Sequence, residues 1–154
     1  MTRKSFIEHL NEPNDKLPTI KRVDAGKWGS GKMVIPQPKD VDELMKKVPK
    51  GKVVTINEIR AALTKKYRAD FACPLTTGIF VWIAAGAADE ESSLGKKTYT
   101  PWWRTLKTGG ELNPKYPGGI ANQKKLLEQE GHKVIQKGKK TLVFEHENVI
   151  TKLT

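Results

Sequence analysis

The stretch 53–66 constrains the fold more than any other part of the chain. Thr55 and Glu58 have the spacing of a capping box, in which each side chain satisfies a backbone amide of the first helical turn. Val54 and Ile59 are placed for the hydrophobic staple that often accompanies such a box. A helix is therefore predicted over 55–66. Its buried face is predicted to consist of Ile56, Ile59 and Leu63.

Two further helices are predicted on either side of this one. Asp40 can cap a helix that Pro49 ends, with apolar residues at Val41, Leu44, Met45 and Val48. A longer helix is predicted over 76–90, opened by Thr76 or Thr77. Its predicted core stripe is Ile79, Phe80, Ile83 and Ala87, and its other face carries Thr77, Val81, Ala84, Ala85 and Ala88. Small side chains let a helix backbone approach another surface closely, and that surface is either a packed helix or a nucleic-acid groove.

The C-terminal third predicts a helix followed by a hairpin. The helix spans 120–130 and stops at Gly131. Strands are predicted over 132–136 and 141–145, and a basic turn at 137–140 joins them. Two helices joined by a linker and followed by a basic hairpin indicate a winged helix-turn-helix. The predicted fold class is mainly α with a small β hairpin.

The N-terminal residues 1–33 are rich in Pro, Gly and charge and show little periodicity. They are predicted to be an irregular extension, with 16–32 as an extended arm or loosely packed loop and Trp28 as its anchor. Residues 34–154 are predicted to form the compact domain. At 154 residues the chain is long enough to fold around a hydrophobic core without a metal or a disulfide.

The charge indicates a polyanionic partner. The net charge is +11, and residues 92–154 contain 12 Lys and Arg against 5 Asp and Glu. A basic surface attracts nucleic acid first and anionic membranes second. No apolar run approaches the roughly 20 residues that span a bilayer. Duplex DNA is therefore the expected partner, and no membrane partner is expected.

Other classes of site have little support in the sequence. Cys73 is the one cysteine, and His9, His132 and His146 lie far apart, so no metal or other cofactor is expected. A single thiol forms no internal disulfide, and the N-terminal segment lacks the apolar stretch of a signal peptide. The expected location is cytoplasmic, associated with the nucleoid if the protein is bacterial.

Residues 101–131 carry a series of motifs in a characteristic order. They are Pro101-Trp102-Trp103-Arg104, Gly109-Gly110, Tyr116, Gly118-Gly119, Leu126-Leu127 and Glu130-Gly131. This series resembles the alkylguanine-DNA alkyltransferases, which have Pro-Cys-His-Arg at the first motif. The upstream PKGKVVTINEIR resembles the entry to the helix-turn-helix of that family, and the resemblance covers roughly 34–136. The chain is most similar to the alkyltransferase-like proteins, in which Trp also replaces the nucleophilic Cys.

The resemblance implies recognition without catalysis. Trp102 occupies the position of the nucleophilic Cys, and an indole forms no thiolate, so no alkyl transfer is expected there. The implied role is to bind an alkylated guanine flipped from the duplex and to signal it to repair proteins. Ile56 replaces the tyrosine that helps to rotate the nucleotide, and Gly78 replaces the arginine finger that fills the vacated stack. Residues 86–100 are an insertion. These departures bear on base flipping more than on DNA binding.

Since adjacent residues of an extended segment point in opposite directions, one of the indoles of Trp102 and Trp103 is expected in a pocket and the other buried. The resemblance also implies a set of base-binding residues. They are Trp102, Trp103, Arg104, Tyr116, Gly118 and Gly119. Glu130 matches the carboxylate that orients the histidine of the family, and with Trp103 in that position its expected role is structural.

The residues expected to contact DNA outside the base pocket come from the helix pair and the hairpin. They are Arg60, Arg68, Thr76, Thr77, Val81, Lys137, Lys139 and Lys140. Arg60 and Arg68 flank the second helix, where either could substitute for the missing finger. Trp82 is expected to be a packing residue.

Three functions remain open at this point. The first is a monomeric, non-catalytic sensor of alkylated DNA. The second is a winged-helix protein that binds DNA regardless of damage. The third is an alkyltransferase that uses Cys73, which precedes the second helix, where a helix N-terminus can lower a thiol pKa.

Overall fold

The structure is a computed structural model that describes residues 5–27 and 29–154. This part of the chain has mixed α/β structure, with five α-helices and three small sheets. The helices are α1 (Phe6–Asn11), α2 (Pro38–Lys46), α3 (Ile56–Lys66), α4 (Pro74–Ser93) and α5 (Gly119–Gln129). The strands are β1 (Thr19–Gly26), β2 (Gly29–Ile35), β3 (Val54–Thr55), β4 (Phe71–Ala72), β5 (Thr105–Leu106), β6 (Val134–Lys137) and β7 (Lys140–Val143). The prediction of a mainly α fold with one hairpin is therefore corrected. None of these helices has the length and apolar character to cross a bilayer.

The prediction of an irregular N-terminal extension is wrong for the described residues. The Ser5 hydroxyl accepts a hydrogen bond from the Glu8 amide and so caps α1. Strands β1 and β2 form an antiparallel hairpin, and β2 also pairs in parallel with the distant strand β4. This pairing is long-range, so local periodicity did not reveal it. Trp28, predicted to anchor this segment, lies outside the described residues.

Helix α3 confirms its predicted start. The Thr55 amide donates to Glu58 Oε1 at 2.6 Å, and the Asn57 amide donates to Thr55 Oγ1 at 3.2 Å. In α2 the cap is Gln37 rather than the predicted Asp40, because Pro38 occupies the first helical position. The carboxylate of Asp40 reaches back to the Gln37 amide at 3.0 Å.

Helix α4 is longer than predicted and buries mainly its face of small residues. It starts at Pro74 rather than at position 76 and continues to Ser93, beyond the predicted end at 90. Of the predicted core stripe, Ala87 is buried and Phe80 packs against the core. The buried residues are Thr77, Val81, Ala84, Ala85, Gly86, Ala87 and Ala88, whereas Ile79 of the predicted core stripe is exposed. Small side chains let α1 and α2 pack directly on α4. At Gly86 an added Cβ would lie 2.4 Å from the ring of Phe6. Close helix packing therefore decides which face is buried.

The C-terminal hairpin is confirmed, with a tighter turn than predicted. Strands β6 and β7 pair from Val134 with Val143 to Lys137 with Lys140. Strand β7 also holds the loop before α5, since the Leu112 amide donates to the carbonyl of Thr141 at 2.9 Å. The same region is tied to the start of α3 by the parallel pairing of β3 with β5.

Candidate nucleic-acid interface

A groove of about 440 Å³ lies between the N-terminal half of α4 and the loop 106–116. Ile56, the first residue of α3, closes one end of it. The exposed side chains of Lys107 and Lys115 lie at the rim of the groove. The lining also includes the half-buried Glu111, so the groove combines a mainly apolar interior with two basic side chains and one acidic side chain.

The helical wall of the groove is an exposed apolar stripe. Leu75, Ile79 and Trp82 are 59%, 45% and 41% exposed, and their spacing of four and three residues places them on one side of α4. Gly78 lies between them, where an added Cβ would contact nothing within 4 Å. The edge of Phe6 packs against the Trp82 ring at 4.9 Å between centroids. Contiguous exposed apolar surface of this kind marks an interaction site.

The opposite wall contains Tyr116, whose position is fixed from several sides. Its hydroxyl donates to the carbonyl of Thr105 at 2.8 Å, and its ring meets the Trp102 ring at 5.3 Å. Burial raises the pKa of Tyr116 above its usual value, so the phenol is neutral at physiological pH. The predicted residue Tyr116 therefore contributes a fixed, uncharged and almost fully covered ring to the groove lining, with 3% of its surface exposed.

The predicted glycines Gly118 and Gly119 form the turn between Tyr116 and α5. Both have positive φ, +76° and +72°, which favours glycine. The Gly119 amide donates to the carbonyl of Tyr116 at 2.8 Å. An added Cβ at Gly118 would lie 2.5 Å from Cβ of Asn122, so this turn has no room for a side chain. These glycines place Tyr116 without touching the groove themselves.

Sequence reasoning missed the residue that braces this wall from behind. Gln123 on α5 is fully buried. Its Oε1 accepts from the Asn113 amide at 2.8 Å, and its Nε2 donates to the carbonyl of Trp103 at 3.1 Å. The sequence could have indicated this role, because Gln123 is a polar residue at a position of the helical pattern that faces the core. Sequence reasoning also missed Trp82, which was expected to pack in the core.

Trp102 and Trp103 lie behind the groove rather than in its lining. Trp102 is 3% exposed, and its ring contacts that of Tyr116, which lines the groove. Trp103 is half-buried and lines a separate cavity of about 560 Å³ together with Tyr99 and Lys97. The two indoles meet edge to face at 5.7 Å. Direct contact of Trp102 or Trp103 with a base stays a prediction, and for Trp102 it requires Tyr116 to move aside.

Arg104 is the last residue of the motif Pro101-Trp102-Trp103-Arg104, which we call the box. Its side chain forms a structural ion pair with Glu130. Its Nε and Nη2 atoms donate to the two carboxylate oxygens of Glu130 at 2.9 and 2.7 Å, and Nη1 donates to the carbonyl of Val48 at 2.8 Å. Burial raises the pKa of Glu130, but the hydrogen bonds from Arg104 outweigh it and hold that pKa below its usual value. Glu130 is therefore ionised and structural, in agreement with its expected role.

Thr77 is not accessible to DNA, which corrects that predicted contact, whereas Val81 lies in the lining of the groove and its contact with DNA stays a prediction. Thr77 is fully buried and donates its hydroxyl to the carbonyl of Cys73 at 2.7 Å, and Val81 is 3% exposed. Thr76 is half-buried and donates to Cys73 Sγ at 3.2 Å. Cys73 itself is 5% exposed and does not line the groove.

Among the basic residues predicted to contact DNA, Arg60 is hydrogen-bonded within the protein, whereas the others are exposed. Arg60 Nε donates to the carbonyl of Ala72 at 3.0 Å and so holds β4 against α3. Arg68 is exposed in the turn after α3, where its φ is +53°. Lys137, Lys139 and Lys140 are exposed at the tip of the β6–β7 hairpin. Within 5–27 and 29–154, no three His, Cys, Asp or Glu side chains come together as a metal site needs.

Comparison with known proteins identifies the fold. No family model and no curated protein matches the sequence. Two solved structures match, each over 75% of this chain and 94% of the other. One is S. pombe Atl1 in complex with damaged DNA containing O6-carboxymethylguanine, with 20% identity and a TM-score of 0.51. The other is S. pombe ATL in complex with DNA, with 21% identity and a TM-score of 0.53. The resemblance to alkyltransferase-like proteins is thus confirmed at the level of the fold.

Proposed function

We propose that this protein binds duplex DNA containing an alkylated guanine and holds the damaged base in the groove without chemistry. The observation that carries the proposal is the groove itself, whose mainly apolar lining includes the exposed ring of Trp82 and the exposed side chains of Lys107 and Lys115. The fold shared with a protein solved in complex with damaged DNA supports this assignment.

The groove walls suit a base removed from the stack. Flipping costs a few kcal/mol and least for a damaged base, while stacking on an aromatic ring returns about 1–3 kcal/mol. Trp82 offers such a ring, since it lines the groove and is 41% exposed, whereas Tyr116 lines the other side and is only 3% exposed. Ile79 and Leu75 project beside Gly78, the position that resembles the arginine finger of the family. Apolar side chains inserted between base steps unstack a duplex, so these two residues fill the role of a wedge.

The backbone phosphates are assigned to exposed cations around the groove. Lys107 and Lys115 lie at the rim of the groove, and Arg68 lies in the turn before β4. The lysines at the tip of the β6–β7 hairpin add further positive charge. Phosphate contacts of this kind fix the register of a protein on DNA and make its affinity depend on salt. Arg60 is not among them, because its guanidinium holds β4.

No alkyl transfer is part of the proposal. The box contains Trp102 where the resembling family has its nucleophile, and Cys73 is buried outside the groove. A bound lesion held in this way remains available as a signal to repair proteins. One groove per chain accepts one flipped base, so a monomer suffices.

The test is a titration with two matched duplexes, one with O6-methylguanine and one with guanine at the same position. We expect tighter binding to the methylated duplex and quenching of indole fluorescence that is reduced in Trp82→Phe. Equal affinity for both duplexes would instead identify a damage-independent DNA-binding protein. Mass spectrometry of the same mixture provides the check on chemistry, since an added methyl group on Cys73 would contradict a non-catalytic role.

A further inference from the structure

The N-terminal hairpin β1–β2 is attached to the residue at which α4 begins. Met33 pairs with Phe71 and Val34 with Ala72 in the parallel contact between β2 and β4. The amide of Cys73, the N-cap residue of α4, then donates to the carbonyl of Val34 at 3.0 Å. The hairpin therefore lies beside the N-terminal end of the helix that forms the groove wall.

A second attachment joins the hairpin to the turn between α3 and β4. The Asp70 amide donates to the carbonyl of Lys32 at 2.8 Å, and the Lys32 amide donates to Asp70 Oδ2 at 2.7 Å. This close approach requires glycine at position 31, where an added Cβ would lie 2.4 Å from the same carboxylate oxygen. Arg68, two residues before Asp70, is exposed in this turn. The hairpin and the turn are thus one connected surface.

Two cations occupy the same face of this hairpin. Arg22 pairs directly with Lys32 across the strands, and both side chains are exposed. The next pair on that face is Ile20 with Val34, because side chains alternate between the faces of a strand. Val34 is fully buried in the main core. Arg22 and Lys32 therefore extend beyond the core on the side of the hairpin that the core occupies.

Two carboxylates lie near this pair of cations, that of Asp24 beside Arg22 and that of Asp70, whose Oδ2 accepts from the Lys32 amide at 2.7 Å. Like charges directly opposite each other destabilise a strand pair. The ion pair between Arg22 and Asp24 is 3.7 Å long and well exposed, so it compensates little. A phosphate between the two side chains removes the repulsion, and Arg68 adds a third cation on the adjoining turn.

We propose that the hairpin β1–β2 is a second wing, which binds a backbone phosphate of duplex DNA through Arg22 and Lys32 next to the site entered by α4. This inference rests on the proposed function for its partner, but not on recognition of damage. It extends the interface to a part of the chain that the sequence motifs did not include.

Lys21 provides a matched control for the test, because it is exposed on the same strand but on the opposite face, where its cross-strand partner is Met33. Arg22→Gln, Lys32→Gln and Lys21→Gln each remove one charge from the full-length protein. Affinity for duplex DNA is measured between 50 and 200 mM salt. Losing one phosphate contact lowers the salt slope by about 0.9, which makes the change in Kd over this range roughly threefold smaller. Because Arg22 and Lys32 share one phosphate, we expect the full change in the double variant Arg22→Gln/Lys32→Gln, a smaller change in each single variant and none in Lys21→Gln.

Melting temperatures give a second readout. Arg22→Gln relieves the repulsion with Lys32, so its melting temperature is expected to stay the same or rise slightly while its DNA affinity falls. Equal slopes for all four variants and the wild type, or an equal loss in Lys21→Gln, would overturn the second wing. A wing effect of the same size on methylated and unmodified duplexes, without any lesion preference in the wild type, would retain the wing and reject the damage-sensing function.

Discussion

The box around Arg104 and the groove beside α4 meet where the Trp102 ring contacts that of Tyr116, but they are built in opposite ways. The box is closed by polar bonds, with Arg104 bound to Glu130 and Gln123 braced against neighbouring loops. The groove is open and apolar. The motifs most visible in the sequence therefore build the supporting wall, whereas the exposed residues of α4 that line the groove carry weaker sequence signals.

The difference follows from what each region must do. A buried polar network is stable only when its members are all paired, so its residue types and spacing are tightly constrained. An open apolar wall can be made by several large side chains, and its exposure to water is relieved when a ligand covers it. Variants of the two regions should thus separate into losses of stability and losses of binding.

The largest effect is expected from Arg104→Ala, which leaves Glu130 buried without its partner. The side chains of Arg104 and Glu130 are only 14% and 8% exposed, and breaking such a pair from one side costs about 3 kcal/mol. Urea unfolding measures this loss. The double variant Arg104→Met/Glu130→Leu should recover most of it, because no uncompensated charge then remains. An Arg104→Ala protein of unchanged stability would show that the box does not support the fold.

The same pair predicts a loss of stability in acid. Since the folded-state pKa of Glu130 is lowered, its contribution is fully present above the unfolded value of about 4.3. It is lost as the pH falls through the folded-state pKa, because protonation then favours the unfolded chain. Unfolding free energies measured from pH 7 to pH 3 should fall less steeply in Arg104→Met/Glu130→Leu than in the wild type. Parallel curves would contradict this assignment.

The groove should respond in binding rather than in stability. Trp82→Ala removes a stacking surface for the flipped base, and we expect about a tenfold loss of affinity for methylated duplex, within the range of about 1–3 kcal/mol for one stacked base. Fluorescence anisotropy with labelled duplexes measures it. Unmodified duplex should be bound nearly as well as by the wild type.

Two controls isolate the groove in this experiment. Phe6→Ala removes the edge contact to Trp82 without altering the groove lining, so it reports any effect of loosening α1. Leu94→Ala removes a 75% exposed apolar side chain that directly follows α4, away from the groove. Neither should lose the preference for methylated duplex. If both lose it as strongly as Trp82→Ala, exposed apolar surface in general, and not the groove, determines binding.

The sequence predicted local features well and long-range ones poorly. The capping box of α3 and the β6–β7 hairpin depend on residues close together in the chain, and both were located from their patterns. The β1–β2 hairpin and the buried face of α4 depend on partners far away in the chain, which periodicity does not reveal. Thr77 was therefore assigned to DNA and Ile79 to the core, the reverse of their positions. Tyr116 was identified from the series of motifs in residues 101–131 and not from secondary-structure propensity.

The smallest effect is expected from Gly78→Ala, which should change the stability of the protein but not its affinity for DNA. Glycine within a helix is less favourable than alanine by about 0.5–1 kcal/mol, and an added Cβ here meets open space, so Gly78→Ala should stabilise the protein by about that amount. Its DNA affinity should stay unchanged if Leu75 and Ile79 make the contacts on this wall. Urea unfolding and anisotropy on the same preparation give both values. A marked loss of affinity would mean instead that the backbone of α4 touches DNA at Gly78. In that case DNA would pack closely against the helix backbone. The groove would then not be an open apolar wall, and the contrast with the buried box around Arg104 would not hold at Gly78.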